Sequence, residues 1–458
     1  MSKYAHEIRD PIHTFIHLDS DERAIVDSSP LQRLRHIHQL ALSYLVYPGA
    51  THRRFEHSLG VMELAGRVFD VITKAENIRD ESVRDLVRPH DSLRLLHWRR
   101  TLRIAALCHD VGHLPFSHAA EQELLPNGWD HERLTVKIIE SLEGLLAKLE
   151  PPVRWLDIAK LAVGPKRCEK YAKAGDLPSN AVPFTDWESI LAEVIIGDAF
   201  GVDRMDYLLR DSYHAGVVYG KFDHYRLIDT LRILPKAYEQ ESKEPALGVE
   251  EGGLHSAEAL LLARFFMYTQ VYFHPVRRIY DVHLKDFLSE WLKGRYLGDR
   301  FPTSVNEHLA LTDNEVTAAV LQAARDGQCA GHEAARRIVE RDHFHLVYQW
   351  NHDDAKTNAA ATDAIHAAAR DKFKAENVRR DSYPAKSIGV VFPVWTKDER
   401  VTSSFGLSEV LQRIPAAKFD LVFVRGGLEK EAREWLKRER TAIITAKARE
   451  ETDGTARA

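Results

Sequence analysis

Up to about residue 290 the apolar positions recur three and four apart, the spacing of helices with one buried face, so the chain reads as mostly helical. In THRRFEHSLGVMELAGRVFDVI (51–72), His57 is followed by Val61, Leu64, Ala65, Val68 and Ile72, and so heads a buried stripe. In TLRIAALCHD (101–110), Leu102, Ala105, Ala106 and His109 share a face, which turns His109 inward. Gly112 and Pro115 then break that helix, leaving His109, Asp110, His113 and His118 around a helix end that opens into a loop. In GDAFGVDRMDYLLRD (197–211), Asp203, Tyr207 and Asp211 recur every four residues, opposite Met205, Leu208 and Leu209. The run SAEALLLARFFMYTQVYF (256–273) predicts one strong helix with Arg264, Tyr268 and Tyr272 on a common face.

Between these runs, the polar, proline-containing stretch Glu150–Trp187 predicts loops near the site. Leu234–Gly253, rich in Glu and Lys with two adjacent glycines, predicts a connection. Beyond about residue 300, short apolar segments such as SIGVVFPVW and FDLVFVR alternate with charged helical segments such as KEAREWLKRER. The fold class expected is mainly α: a helical core over 1–300 and a smaller C-terminal α+β lobe over 301–458 that ends in a polar tail. No internal repeat is found.

Composition narrows the setting. A chain of 458 residues with 44% hydrophobic content can bury a large core. Lys+Arg 63 against Asp+Glu 68 gives a formal net charge of -5 and no electrostatic case for general nucleic-acid binding. Cys108, Cys168 and Cys329 have no paired spacing, which fits a reducing, cytoplasmic setting, and Cys108 reads as a small core residue. No run approaches a membrane span, and MSKYAHEIRD has no signal-peptide pattern.

Imidazole and carboxylate together at His109-Asp110 suit zinc or a transition metal that keeps water in its open positions, the arrangement hydrolysis needs. For an isolated His-Asp pair the commoner arrangement is a plain buried hydrogen bond. The acids of 203–211, alternating with Arg204, Arg210 and Tyr207, add a mix suited to a metal and a phosphate.

The order His57, His109-Asp110, Asp203 resembles the ligand set of the HD-domain phosphohydrolases. RDPIH (9–13), LQRLRHIHQL (31–40), YPGATHRRFEHSLGV (47–61), CHDVGHLPFSH (108–118), VDRMDYLLRD (202–211) and RFFMYTQVYFH (264–274) resemble its deoxynucleoside triphosphate triphosphohydrolase branch. That branch includes bacterial dNTPases and the sterile-alpha-motif and HD-domain restriction factor; only a few residues precede RDPIH here, so no sterile-alpha-motif domain is expected. The resemblance runs over roughly the first 300 residues and implies an HD-domain helical core. It also implies water attack on the α-phosphorus of a dNTP, releasing deoxynucleoside and triphosphate.

In that reading His57, His109, Asp110 and Asp203 hold a divalent metal, with iron, manganese or zinc favoured and magnesium joining the substrate phosphates. Arg54, Arg204 and Arg264 form a phosphate clamp. His118 corresponds to the family's general acid, Glu121 orients it if the segment is helical, His131 and Glu132 match a pair near the attacked phosphorus, and His113 supports the pocket. Gln39 and Leu40 match positions near the sugar, Tyr207 and Asp211 positions beside its 3′ hydroxyl, and Tyr272 a base or sugar contact. Asp27, Gln32, Arg35 and Arg226 match positions that bind an activating guanine nucleotide in allosteric members. Arg9 stands where an asparagine is expected, however, and Pro275 where a phosphate-binding lysine is expected. These residues therefore either bind an activator or pack a subunit interface in a homo-oligomer, a dimer or tetramer.

Two other readings remain open. One keeps the metal and changes the substrate to a dinucleoside polyphosphate or a nucleoside monophosphate; the other makes the chain an inactive nucleotide sensor or scaffold. The HD-GYP signature of cyclic-dinucleotide phosphodiesterases is absent from the sequence, and all ligand and acid positions are occupied.

Overall fold

The computed structural model describes residues 6–117, 121–236, 244–386 and 388–455. The chain forms two compact units: the first drawn from Met1–Met267, Gly294–Val316 and Ile388–Pro415, the second from Tyr268–Lys293, Thr317–Ser387 and Ala416–Ala458. The protein is mainly α, with a smaller α+β region toward the C-terminus.

The first unit is organised around α1 (Arg54–Ile72), α2 (Ser92–Cys108), α3 (His131–Ser141), α4 (Trp155–Lys173), α5 (Asp186–Ile196), α6 (Val202–Ala215) and α7 (Leu254–Met267). Helix α1 packs on α2 and α6, while α4 packs on α2, α3 and α5. The stripe below His57 is buried as the spacing predicts, but Met62, Gly66 and Phe69 on other faces are buried too. A helix apolar nearly all round belongs at the centre of a core. His57 is thus carried into the interior.

The helix ends are fixed by side chains that satisfy the free amides of the first turn. Asp91 accepts from Arg94 N–H at the start of α2, and Asp130 from Arg133 N–H at the start of α3. Thr185 and Glu188 close a reciprocal capping box on α5.

Three sequence expectations need correction. The stretch Glu150–Trp187 is not all loop: it contains α4, whose Ile158, Ala159, Leu161 and Ala162 are core residues. Its prolines misled the reading, because Gly164 kinks the helix at φ 76° and lets Pro165 open the next helical segment, where its missing N–H costs nothing. The Leu234–Gly253 connection contains strand structure. Leu231–Pro235 and Pro245–Glu250 pair antiparallel in a sheet completed by Pro393–Trp395 and Val401–Ser403. These strands are buried on both faces and show no alternation to read. Finally, the run 256–273 is not one uniform helix. The α-helix stops at Met267 and continues as a π-helical turn, Tyr268–Tyr272, which breaks the common face expected for Arg264, Tyr268 and Tyr272.

The second unit holds a three-stranded antiparallel sheet in the order His345–Gln349, Ala417–Val424, Val378–Lys386. Helices Ala361–Phe373 and Glu429–Thr455 pack on it through Ile365, Ala369, Phe373, Ala432 and Leu436. The FDLVFVR segment is a strand as expected; among the described residues of SIGVVFPVW only Pro393–Trp395 is. Among the described residues no helix is long and apolar enough to cross a membrane.

One partly buried acid in this framework has a pH consequence. Burial raises the Glu193 carboxyl on α5 to about 7, against the Leu247 N–H it accepts at 3.2 Å, which lowers it. The folded protein keeps a proton there that the unfolded chain loses near an ordinary glutamate value of about 4.3, so stability falls as pH rises across that interval and levels off above it. Glu193→Gln is expected to remove this slope and to stabilise the fold at pH 8 by about 2 kcal/mol or less, with little change at pH 4. Urea midpoints at the two pH values check it; equal gains at both would refute the assignment.

Candidate metal and phosphate site

The end of α2, the start of α1 and the first turn of α6 bring His57, His109, Asp110 and Asp203 together. His57 Nε2 lies 3.1 Å from Asp203 Oδ1 and 3.8 Å from Asp110 Oδ2. His109 Nε2 lies 3.4 Å from Asp110 Oδ1 and 3.5 Å from Asp203 Oδ1. The remaining ring nitrogens point away from this centre. His109 Nδ1 donates to the Ala106 carbonyl at 2.7 Å, and His57 Nδ1 to Asp206 Oδ2 at 2.8 Å. Each imidazole is thereby held as the tautomer whose Nε2 lone pair faces the carboxylates. His109 Nε2 is buried and has no hydrogen-bond partner among the described residues.

Lone pairs facing carboxylates demand positive charge between them. Burial disfavours a charged His57, yet Asp203 and Asp206 overcome it and raise the imidazole to about 10. Despite burial, Asp203 is held below the usual carboxylate range by His109 and His57, and Asp110 by His109, His113 and Arg54. The donor set, two imidazole Nε2 atoms and two carboxylates, fits a divalent metal. Among the described residues the ligand atoms of His57, His109 and Asp110 lie within 4.8 Å of one another, as do those of Asp110, His113 and His131 and those of Glu121, His131 and Glu132.

Behind the cluster stands a network whose connections the sequence does not show. Asp206 accepts from His57 Nδ1, from His13 Nε2 at 2.6 Å, and from Arg210 Nε at 2.8 Å. Arg210 in turn donates to Asp10 at 2.8 Å, and Asp10 accepts from the amides of Ile12 and His13, both at 2.9 Å. RDPIH is thus the support of the His57 ring. The acid-rich face of α6, normally a solvated pattern, is buried here because Asp206 and Arg210 neutralise each other; removing one partner of such a pair costs about 3–5 kcal/mol. The available signal was the i, i+4 spacing of Asp206 and Arg210 on one face. At Gly60 a Cβ would come within 2.0 Å of Asp206 Oδ1, so only glycine leaves room for this network.

A second cluster adjoins the first. His113 Nε2 lies 3.2 Å from Asp110 Oδ1, and its ring stacks on that of His131 with centroids 3.9 Å apart. Glu121 Oε1 accepts from both the His131 amide at 2.8 Å and Nδ1 at 2.7 Å, with Glu132 Oε2 3.3 Å from the same nitrogen. Burial works against a charged His131, but Glu121 and Glu132 raise its pKa; His113 is held well below its ordinary value by burial and by Arg54 and His131. Glu121, expected to orient His118, thus holds His131, and His118 itself lies outside the described residues. Gly112, read as a helix breaker, also permits a close approach: a Cβ there would sit 2.1 Å from the His131 carbonyl oxygen.

Arg54 joins this site, hydrogen-bonding Asp110 and donating to Ser117 Oγ at 2.8 Å. Ser117 and Phe116 both adopt left-handed backbone, at φ 57° and 55°, a conformation residues with a Cβ hold only under constraint. Arg204 and Arg264 meet elsewhere, at the Gly197–Asp198 turn: Arg204 bonds the Gly197 carbonyl and Asp198, and Arg264 the Asp198 carbonyl at 3.3 Å. Asp211 pairs with His52 Nε2 at 2.7 Å, Tyr207 is half-buried on α6, and Gln39 and Leu40 are buried, with Gln39 N–H on the His52 carbonyl. Tyr272 falls in the other compact unit. Of the activator positions, Gln32 accepts from Arg35 at 2.8 Å, Arg35 lies over the Phe55 ring, and Asp27 pairs with Arg23. Arg226 donates to the Gly252 carbonyl. Arg9 covers Phe15, and Pro275 opens the helix Pro275–Trp291.

Comparison with known proteins agrees with this geometry. Residues 54–208 match the HD domain and residues 222–382 the HD associated region. The chain is 34% identical over 278 residues to the uncharacterized protein MJ1154 of Methanocaldococcus jannaschii, covering 61% of this chain and 48% of that one. It is 32% identical over 294 residues to the deoxynucleoside triphosphate triphosphohydrolase SAMHD1 of Homo sapiens, covering 61% and 43%. The chain thus spans about half the length of the curated relatives it matches. A crystal structure of a hypothetical protein from Aquifex aeolicus superposes with TM-score 0.72 at 30% identity, covering 94% of this chain and 99% of that one. With His57, His109, Asp110 and Asp203 gathered on an HD-type helical core, the chain belongs to the HD-domain phosphohydrolase superfamily.

Proposed function

We propose that the protein is a metal-dependent deoxynucleoside triphosphate triphosphohydrolase, converting dNTP and water to deoxynucleoside and triphosphate. The observation that carries this reading is the pair of Nε2 lone pairs, His57 and His109, aimed at Asp110 and Asp203. A divalent metal bound there supplies Lewis acidity and a more acidic water. Arg54 stands beside Asp110 and carries the guanidinium fork that suits an α-phosphate oxygen. His131, whose pKa Glu121 and Glu132 raise, is the proposed second cation for the same phosphate, and His118 the proposed donor to the leaving 5′ oxygen. Arg204 and Arg264 are the proposed partners of the remaining phosphates, and Gln39, Leu40, Tyr207 and Asp211 those of the sugar and base.

A nucleotide panel with product identification tests the reading. Triphosphate and deoxynucleoside in equal amounts are expected; release of phosphate or mononucleotide points instead to the other phosphoesters, and no turnover with metal bound to the sensor reading. Assembly as a dimer or tetramer in the cytoplasm, with a guanine nucleotide bound at Asp27, Gln32, Arg35 and Arg226, belongs to the same proposal. Mass in solution with and without GTP checks it, and a strict monomer with full activity would refute it.

A further inference from the structure

The segment around Asp313 is remote in sequence from every residue of the candidate site, yet its carboxylate binds two segments that adjoin it. Asp313 is 1% exposed. Its Oδ1 accepts from Phe116 N–H at 2.7 Å, and its Oδ2 from His38 N–H at 2.7 Å and His38 Nδ1 at 2.6 Å. The two clamped segments are the ones that matter. Phe116 belongs to the constrained turn that presents Ser117 to Arg54, and His38 immediately precedes Gln39 and Leu40. Ser117 Oγ is also 3.5 Å from the His38 carbonyl, and the His38 ring stacks on Phe116 at 6.0 Å. A neighbouring tie runs the same way: Arg33 donates to the Leu311 carbonyl at 2.8 Å and to the His113 carbonyl at 3.0 Å.

We infer that Asp313 is a positioning residue for catalysis: by holding Phe116 and His38 on its two oxygens it fixes Ser117, and through Ser117 the direction in which Arg54 meets Asp110. The physical reason is the left-handed pair Phe116–Ser117. Such backbone is unfavourable by about 1–3 kcal/mol per residue and persists only where surrounding bonds over-determine it. A carboxylate accepts on both oxygens; a carboxamide accepts on one only. Asp313→Asn therefore keeps the shape of the side chain but leaves either Phe116 or His38 facing an N–H₂ group. The inference rests on the proposed phosphohydrolase reading for its rate effect, since Arg54 matters only if phosphate is handled there.

The test uses the full chain as wild type, Asp313→Asn, Ser117→Ala and the double variant, with kcat, KM, bound metal and peptide-level amide exchange measured for each. Both single variants are expected to keep their metal and lose about tenfold to a hundredfold in kcat, the scale of a misplaced group, with KM little changed. The double variant is expected to be no worse than the poorer single one, because both act through Arg54. Faster exchange in Asp313→Asn over Leu114–Ser117 and around His38, with α1 unaltered, is the readout independent of activity. Wild-type kcat in Asp313→Asn, or multiplying losses in the double variant, would overturn the inference, as would loss of metal in step with activity. If Asp313→Asn fails to fold, Ser117→Ala carries the same kcat and metal test alone. If the wild type hydrolyses no nucleotide, the phosphohydrolase reading falls while the exchange result still decides whether Asp313 holds the turn.

Discussion

Protein carrying His109→Ala, or separately Asp203→Ala, is expected to be purified with little bound metal and to hydrolyse no nucleotide at a measurable rate. His109 contributes a nitrogen that is buried and unpartnered among the described residues, so its removal deletes a ligand while disturbing few other bonds. Asp203 is the carboxylate nearest His57 Nε2, at 3.1 Å, and lies 3.5 Å from His109 Nε2. A milder loss is expected for Asp206→Asn, which touches no ligand position but orients His57 through Nδ1; changes of this kind weaken metal binding by about 10- to 100-fold. Elemental analysis reads all three and identifies the metal among iron, manganese and zinc. Undiminished metal in both His109→Ala and Asp203→Ala would remove the assignment.

The second large effect concerns the protonated imidazole. His131→Ala is expected to retain metal and nucleotide while losing about a hundredfold or more in single-turnover rate, the scale for removing a group aimed at the charge that develops in the transition state. Glu121 and Glu132 raise the His131 pKa, so the charged ring persists to higher pH than an ordinary histidine, and activity that needs it declines as pH rises through that raised value. Glu121→Gln removes the first of these carboxylates and lowers the His131 pKa. The alkaline limb of the profile should therefore move to lower pH, with activity recovering in acid. A limb unmoved by Glu121→Gln would show that His131 does not titrate in turnover. His118→Ala is expected to show a comparable rate loss with metal intact, as the proposed donor to the leaving oxygen. Near-wild-type turnover by that variant would pass the donor role to His131.

Much of the metal site was legible because its ligands sit on strongly periodic helices. The stripe below His57 and the run ending at His109 say which way each imidazole points, and the break at Gly112 says that a pocket opens there. What surrounds the ligands was less legible. Asp206 and Arg210 read as part of a mix suited to a metal and a phosphate, and nothing along the chain shows that they meet Asp10 and His13 some 200 residues away. The partner of Glu121 was read from its nearness in sequence to His118; in the fold it bonds the first residue of α3, ten positions on. Helix α4 and the strands Leu231–Pro235 and Pro245–Glu250 were hidden for local reasons, a glycine kink ahead of Pro165 and burial on both strand faces.

By itself the sequence determined the helical character of the core, the inward direction of His57 and His109, and the chemistry of the donor set. These follow from interactions within a few residues, where side-chain spacing and backbone preference act directly. Only the tertiary structure decided which groups hold those ligands and how the loop after His109 is constrained. Asp206 beneath His57, Glu121 on His131 and Asp313 across Phe116 and His38 are pairings between segments far apart in the chain. Their partners are chosen by packing, since a buried charge or amide must find whatever complementary group the fold brings within reach.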